Sequence, residues 1–281
     1  MINNRYDIVL LFDAKNCNPN GDFDDENRPR RNSRNNGLVS DVCLKSKVRR
    51  TILARNSNSR MYIRQGVILQ NNHEEIRKDA GEKADDISVK QKACEKFYDV
   101  RTFGAVMAGK EKTGCGQVMG PVQFEWAESF HPIKVVDATI TRCCYTNDAR
   151  AEKAGNNEVG SKKMLEYGLY AAVIHIDPIY ARSVAEGGTN FSEEDLELFL
   201  STLPNIFLHD VSAGRSITPR GVYVWKHDSP YSNALPHTLY EPFLAKIQLK
   251  DGVSEPTCFA DYSVPALNEV KTPANIELTL R

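Results

Sequence analysis

The sequence predicts an α+β fold in a single domain of 281 residues, and three observations carry that prediction. An apolar, β-branched run near the N-terminus stops abruptly at a turn. Two helices with legible N-caps follow at widely separated places. Between and after them, segments alternate apolar and polar residues with period two, as half-buried strands do. At 41% apolar and 26% charged residues, the chain has an ordinary water-soluble composition and the length to bury a sizeable core. No run approaches the ~18 apolar residues of a membrane span. The start, MINNRYD, lacks the apolar core of a signal peptide, so a cytoplasmic location without membrane contact is expected.

Arg5 to Phe12 (RYDIVLLF) reads as a buried strand. Residues 18–21, Asn-Pro-Asn-Gly, form a turn in which Pro19 fixes φ and Gly21 accepts a positive one. Ser40 offers an N-cap and Asp41 complements the helix dipole, predicting a helix over 41–54 with Leu44, Val48 and Thr51/Ile52 on its apolar stripe. Met61 to Gln70 reads as a second strand weakened by Gly66. His73 to Asp86 is a charged insertion or helix, and Ser88 to Asp99 is a helix with Val89, Ala93 and Phe97 at one-turn intervals. Residues 108–116 are a Gly- and Lys-rich loop. Strands are expected over Val118 to Trp126, Val135 to Tyr145 and Leu169 to Ile176; the last two, with the polar excursion between them, form a long projecting hairpin. Ser192 and Asp195 cap a helix ending near Leu203, closed by Pro204. Later strands are read at Val222 to His227 and Thr238 to Leu249, and the final stretch is read as irregular. Strand–helix–strand, twice over, is a ferredoxin-like layout shared by RNA-recognition modules.

Charge is unevenly spread. Between Arg28 and Arg64 stand eleven Lys/Arg and one acid, a net +10 in a chain whose total is −1. A basic helix face that is merely solvated normally mixes signs and gains from i,i+4 pairs. This one does not, which points to a polyanion. Lys45 and Arg49, with Lys47 and Arg50, suit phosphate contacts, which position a polymer without reading its sequence. The acidic cluster Asp22, Asp24, Asp25 and Glu26, with Asp13 nearby, either holds Mg²⁺ for phosphodiester cleavage or pairs with Arg28, Arg30 and Arg31; the second reading is favoured. Six histidines show no metal-ligand spacing, and His209-Asp210 with Ser212 lacks the geometry and the Gly-x-Ser-x-Gly elbow of a triad. Lys110 and Lys112 sit in a glycine-rich loop that is not a Walker sequence. The hairpin carries Arg142, Lys153, Lys162 and Lys163 beside Met164 and Leu165; the apolar pair either anchors its base or forms a wedge that parts stacked bases. Seven cysteines without a Cys-x-x-Cys read as free thiols, and no cofactor is signalled.

Six stretches taken in order carry a resemblance: RYDIVLLFDAKNCNPNGDFD, GLVSDVCLKSKVRR, FYDVRTFGAVMAGK, GQVMGPVQF, GSKKMLEYGLYAA and LPNIFLHDVSAGRSITPRGVYVWKHDS. Together they resemble the crRNA-binding backbone subunit of type I-C CRISPR Cascade complexes, from Tyr6 to about Phe243. The resemblance implies a modified RNA-recognition palm with inserted fingers (about 66–118) and a β-hairpin thumb (about 136–167). It implies copies stacked head to tail on guide crRNA, capped by other Cascade subunits, with target DNA read by guide pairing. It also implies no catalysis, no cofactor and no metal, since a separate nuclease-helicase cuts the DNA. The residues it places on RNA are Asn18, Asn20, Arg28, Arg30, Lys45, Lys47, Arg49, Arg101, Lys110, Lys112, Arg142, Lys162, Lys163, Met164 and Arg215. The alternative is a metal-dependent ribonuclease using the Asp22–Glu26 loop, as backbone relatives in RNA-targeting systems do. Cys17, Phe23, Ser46 and the thumb run Val159-Gly-Ser-Lys-Lys depart from the family's usual Gly, Pro, basic residue and Met-Gly-Arg-Lys-His.

Overall fold

The first strand is longer than its apolar run. β1 (Tyr6–Cys17) buries every residue from Tyr6 to Ala14 because both of its faces are covered. Ile8, Leu10, Phe12 and Ala14 enter one core, while Val9 and Leu11 enter another on the opposite face. The structure, a computed structural model, describes all residues except 57, 82, 108–115, 143–157 and 213, and the side chains of 142, 158 and 159 also lie outside the description.

After β1, the two-residue strands β2 (Gly21–Asp22) and β3 (Arg28–Pro29) close the acidic loop, and β4 (Asn36–Val39) leads into α1 (Asp41–Arg55). Three helices follow, α2 (Leu69–Ala80), α3 (Asp86–Lys96) and α4 (Tyr98–Phe103), with the paired strands β5 (Gly104–Met107) and β6 (Gly116–Met119). Next come β7 (Val122–Phe124), β8 (Ala127–Pro132), β9 (Val135–Arg142) and the 19-residue β10 (Glu158–Ile176). The last third holds α5 (Glu193–Thr202), β11 (Ile217–His227), α6 (Pro236–Leu239), α7 (Glu241–Ala245), the short pair β12 (Gln248–Leu249) and β13 (Tyr262–Ser263), and β14 (Ile276–Leu280).

The main sheet is antiparallel in the order β14-β11-β1-β10-β8-β4, with β7 and β9 also pairing with β10. Helices α1 and α5 cover one face through Leu44, Val48 and Ile52 and through Leu196, Phe199 and Leu200. The other face lies beneath Leu239, Tyr240, Phe243, Ile247 and Tyr262, packed around Trp225 and Tyr223. Ile76, Val89, Phe97, Met107 and Val118 form a separate apolar cluster among α2–α4, β5 and β6.

The α+β class and both capped helices match the sequence reading. Ser40 Oγ accepts the Cys43 N–H, and Ser192 and Asp195 form a reciprocal capping box. Three expectations are corrected. Met61–Gln70 is not a strand: Gly66 turns at φ +80, and the Tyr62 and Ile63 N–H groups donate to the Asp99 carboxylate rather than to a ladder. Thr238–Leu249 is mostly α6 and α7, each with a proline in its first turn, where the missing N–H costs nothing. The C-terminal stretch includes β14, which pairs with β11 from Tyr223–Leu280 to His227–Ile276.

Candidate nucleic-acid interface

Four segments distant in sequence meet where β1 ends. They are the turn after Cys17, the first two turns of α1, the start of β10, and Ser212, Gly214 and Arg215 just before β11. Between them lies a cleft of about 510 Å³ lined by Asn18, Asn20, Cys43, Lys47, Ser161, Lys162, Lys163, Met164 and Arg215, among others. Seven of the residues predicted to bind RNA therefore share one concavity, namely Asn18, Asn20, Lys47, Lys162, Lys163, Met164 and Arg215.

Backbone bonds set the walls. The Lys15 N–H donates to Ser216 O at 3.1 Å and the Asn18 N–H to Gly214 O at 2.9 Å, stitching the end of β1 to the residues just before β11. Asn18 Nδ2 donates to Asn27 O at 2.7 Å. Asn20 Oδ1 accepts both the N–H and the hydroxyl of Ser40 at 2.9 Å, tying the turn to the α1 cap. Gly21 leaves no room for a Cβ, which would strike the side chain of Asn27. At the α1 wall, Asp210 accepts from Lys47 Nζ, from Arg50 at 2.6 Å and from Arg215 at 3.1 Å. Burial opposes charge on Asp210, yet Lys47, Arg215 and Arg50 outweigh it and hold the carboxyl below its ordinary range.

The acidic loop turns toward Arg28 and Arg30, as favoured from sequence, but Arg31 bonds Asn35 instead of a carboxylate. Asp22 meets Arg30 at 3.2 Å, Asp25 meets Arg28 at 3.8 Å, and Glu26 meets both Arg28 and Lys163 at 3.5 Å. Asp137 of β9 clasps Arg28 in two bonds of 2.9 and 3.2 Å and takes Lys163 Nζ at 2.6 Å. Among the described residues no group of three or more His, Cys, Asp or Glu is arranged to hold a metal ion.

The basic face of α1 is not the exposed row that the sequence predicts. Arg49 is only 7% exposed, its Nε donates to Asp99 at 2.7 Å, and its guanidinium lies 5.1 Å from the centre of the Phe103 ring. Lys45 pairs with Asp41 at 3.2 Å and also lies over Phe103. Both residues point to the flank that packs on α4. Arg101 is drawn away from the cleft as well, bonding Asp195 at 2.8 and 3.0 Å and Cys94 O at 2.6 Å. Lys110 and Lys112 lie outside the described residues, as does the side chain of Arg142. Sequence reading missed Asp210 and Asp137, the carboxylates that organise the cations. Asp210 gathers Lys47 from 163 positions away and Asp137 gathers Arg28 from 109, and no local spacing announces those pairs.

Comparison with known proteins gives a consistent answer. A family model described as CRISPR-associated protein Cas7 matches residues 4–266. A CRISPR-associated protein Cas7 of Haloferax volcanii is 24% identical over 216 residues, covering 69% of this chain and 61% of its own length. Among solved structures, a chain of a "CRISPR RNA-guided surveillance complex, pre-nicking" superposes with a TM-score of 0.50 at 15% identity, covering 81% of this chain and 80% of that one.

Proposed function

Because the chain belongs to the Cas7 family of CRISPR-associated proteins, we propose that it is a non-catalytic backbone subunit of a type I-C interference complex. In this reading it oligomerises head to tail along guide crRNA, holds the guide's phosphates and leaves its bases free to pair with target DNA, in company with other Cascade subunits. The observation that carries the reading is the cleft at the end of β1, where Lys47, Lys162, Lys163 and Arg215 converge with Asn18, Asn20 and Met164. Cationic donors grouped around one groove suit phosphate oxygens, which accept but do not donate.

The sheet topology supports a modified RNA-recognition palm: β11, β1, β10 and β7/β8 lie side by side in ferredoxin-like order. An ordinary RNA-recognition module stacks bases on the open face of its sheet. Here that face is packed under residues between Leu239 and Tyr262, so RNA is assigned to the cleft instead. In the same reading β9 and the start of β10 are the thumb, and α2–α4 with β5 and β6 are the fingers. Arg28 and Arg30 stand at the rim, and Lys45, Arg49 and Arg101 support the fold beside it.

The test is co-expression with partner subunits. The purified complex is expected to carry RNA of uniform length, and binding of single-stranded RNA is expected to weaken steeply as salt rises. A complex free of RNA, or binding indifferent to salt, would sink the proposal.

A further inference from the structure

Asp210 stands behind the cleft rather than in it. Its side chain is 5% exposed, yet its two oxygens hold Lys47, Arg50 and Arg215. One cation suffices to neutralise one carboxylate, so the cluster carries two surplus positive charges, although Arg50 does not line the cleft. Lys47 and Arg215 line the cleft, and Arg215 is half exposed. Only one Nη of Arg215 is bonded to Asp210, which leaves the rest of its donor fork for a ligand. The backbone of Arg215 is fixed too: its N–H donates to Ser212 O at 2.9 Å and its carbonyl accepts the Ser212 N–H at 3.3 Å. Neighbouring Gly214 O takes the Asn18 N–H. Carboxylate and backbone thus hold the same arginine from two sides.

We infer that Asp210 is a positioning residue of the phosphate grip, aiming Arg215 and Lys47 across the cleft toward the start of β10. The inference rests on the RNA-binding reading above and deepens it. The competing role is plain charge balance for the buried lysine, and the two roles differ in sign. Removing a negative charge from a cationic cleft strengthens RNA binding if charge alone matters. It weakens binding if the carboxylate aims the cations.

The experiment measures binding of a labelled single-stranded RNA to the full chain at two salt concentrations, with thermal midpoints recorded alongside. Asp210→Asn is expected to bind roughly tenfold more weakly than wild type. On an Arg215→Ala background the same exchange is expected to change affinity less, because only Lys47 is left for the carboxylate to aim. Wild-type or tighter binding by folded Asp210→Asn, with wild type itself binding in a salt-dependent way, overturns the positioning role and leaves the RNA reading intact. Absence of salt-dependent binding by wild type overturns both. If Asp210→Asn is unfolded at the assay temperature, Arg215→Lys decides: it keeps the charge and loses the fork. A several-fold loss with Arg215→Lys is expected, and unchanged affinity overturns the inference.

Discussion

Arg49 shows how the ground beneath a charge decides its role. From sequence it belongs to a basic row on α1. In the fold it is sealed under Phe103 and paired with Asp99, whose two oxygens also take the N–H groups of Tyr62 at 2.7 Å and Ile63 at 3.0 Å. Asp99→Ala strands a buried guanidinium and two backbone donors. The expected cost is about 3–5 kcal/mol, read as a thermal midpoint roughly 10 °C lower. An unchanged midpoint would refute the structural role assigned to this pair. The cations of the site were legible as residue types, and their convergence was not. Lys47 and Asp210 are 163 positions apart, and only the crossing of α1 by the Leu208–Asp210 turn brings them together.

At the scale of elements, what the sequence announced best was whatever is closed locally. Ser40 and the Ser192–Asp195 box give both main helices a start that needs no tertiary information. Strand readings failed where apolar residues were buried from an irregular segment or from short helices instead of from a ladder, as at Met61 and Tyr62 and at Tyr240 and Phe243. The α1 cap is also a joint, because the Ser40 hydroxyl both accepts the Cys43 N–H and donates to Asn20. Ser40→Ala is expected to lower stability by about 1–2 kcal/mol, seen as a lower urea midpoint with an unchanged denaturant slope. A midpoint identical to wild type would show that neither bond contributes.

Across the whole molecule, one partly buried network of carboxylates and histidines pins three central strands. Asp7 of β1 meets His175 of β10 at 2.6 Å and His227 of β11 at 2.8 Å, and His175 reaches on to Glu125 at 3.1 Å. Burial disfavours the His175 charge, but bonds to Asp7 and Glu125 outweigh it and push its pKa from 6.5 up to about 9. A group whose pKa is raised on folding stabilises fully below its unfolded value and loses that contribution as pH climbs through the folded one. Stability is therefore expected to fall between about pH 6.5 and 9 by roughly 3 kcal/mol, and His175→Gln is expected to flatten that fall. A thermal midpoint that holds level across this window in wild type would count against the network. At the acid end, His175, His227 and Arg5 depress Asp7 despite its burial, so its contribution is lost as pH falls below the ordinary carboxylate range. The central place of β1 also has a consequence for the order of synthesis. The strand leaves the ribosome well before its neighbours, since β10 ends at Ile176 and β11 at His227. One long edge stays unmatched until β10 has followed and the other until β11 has, so the growing chain carries an exposed β template through the whole stretch between them. The cleft inherits this timing, because Arg215 and Asp210 are made just before β11. On the proposed RNA-binding reading, a nascent chain has no phosphate grip until the segment before β11 has been made.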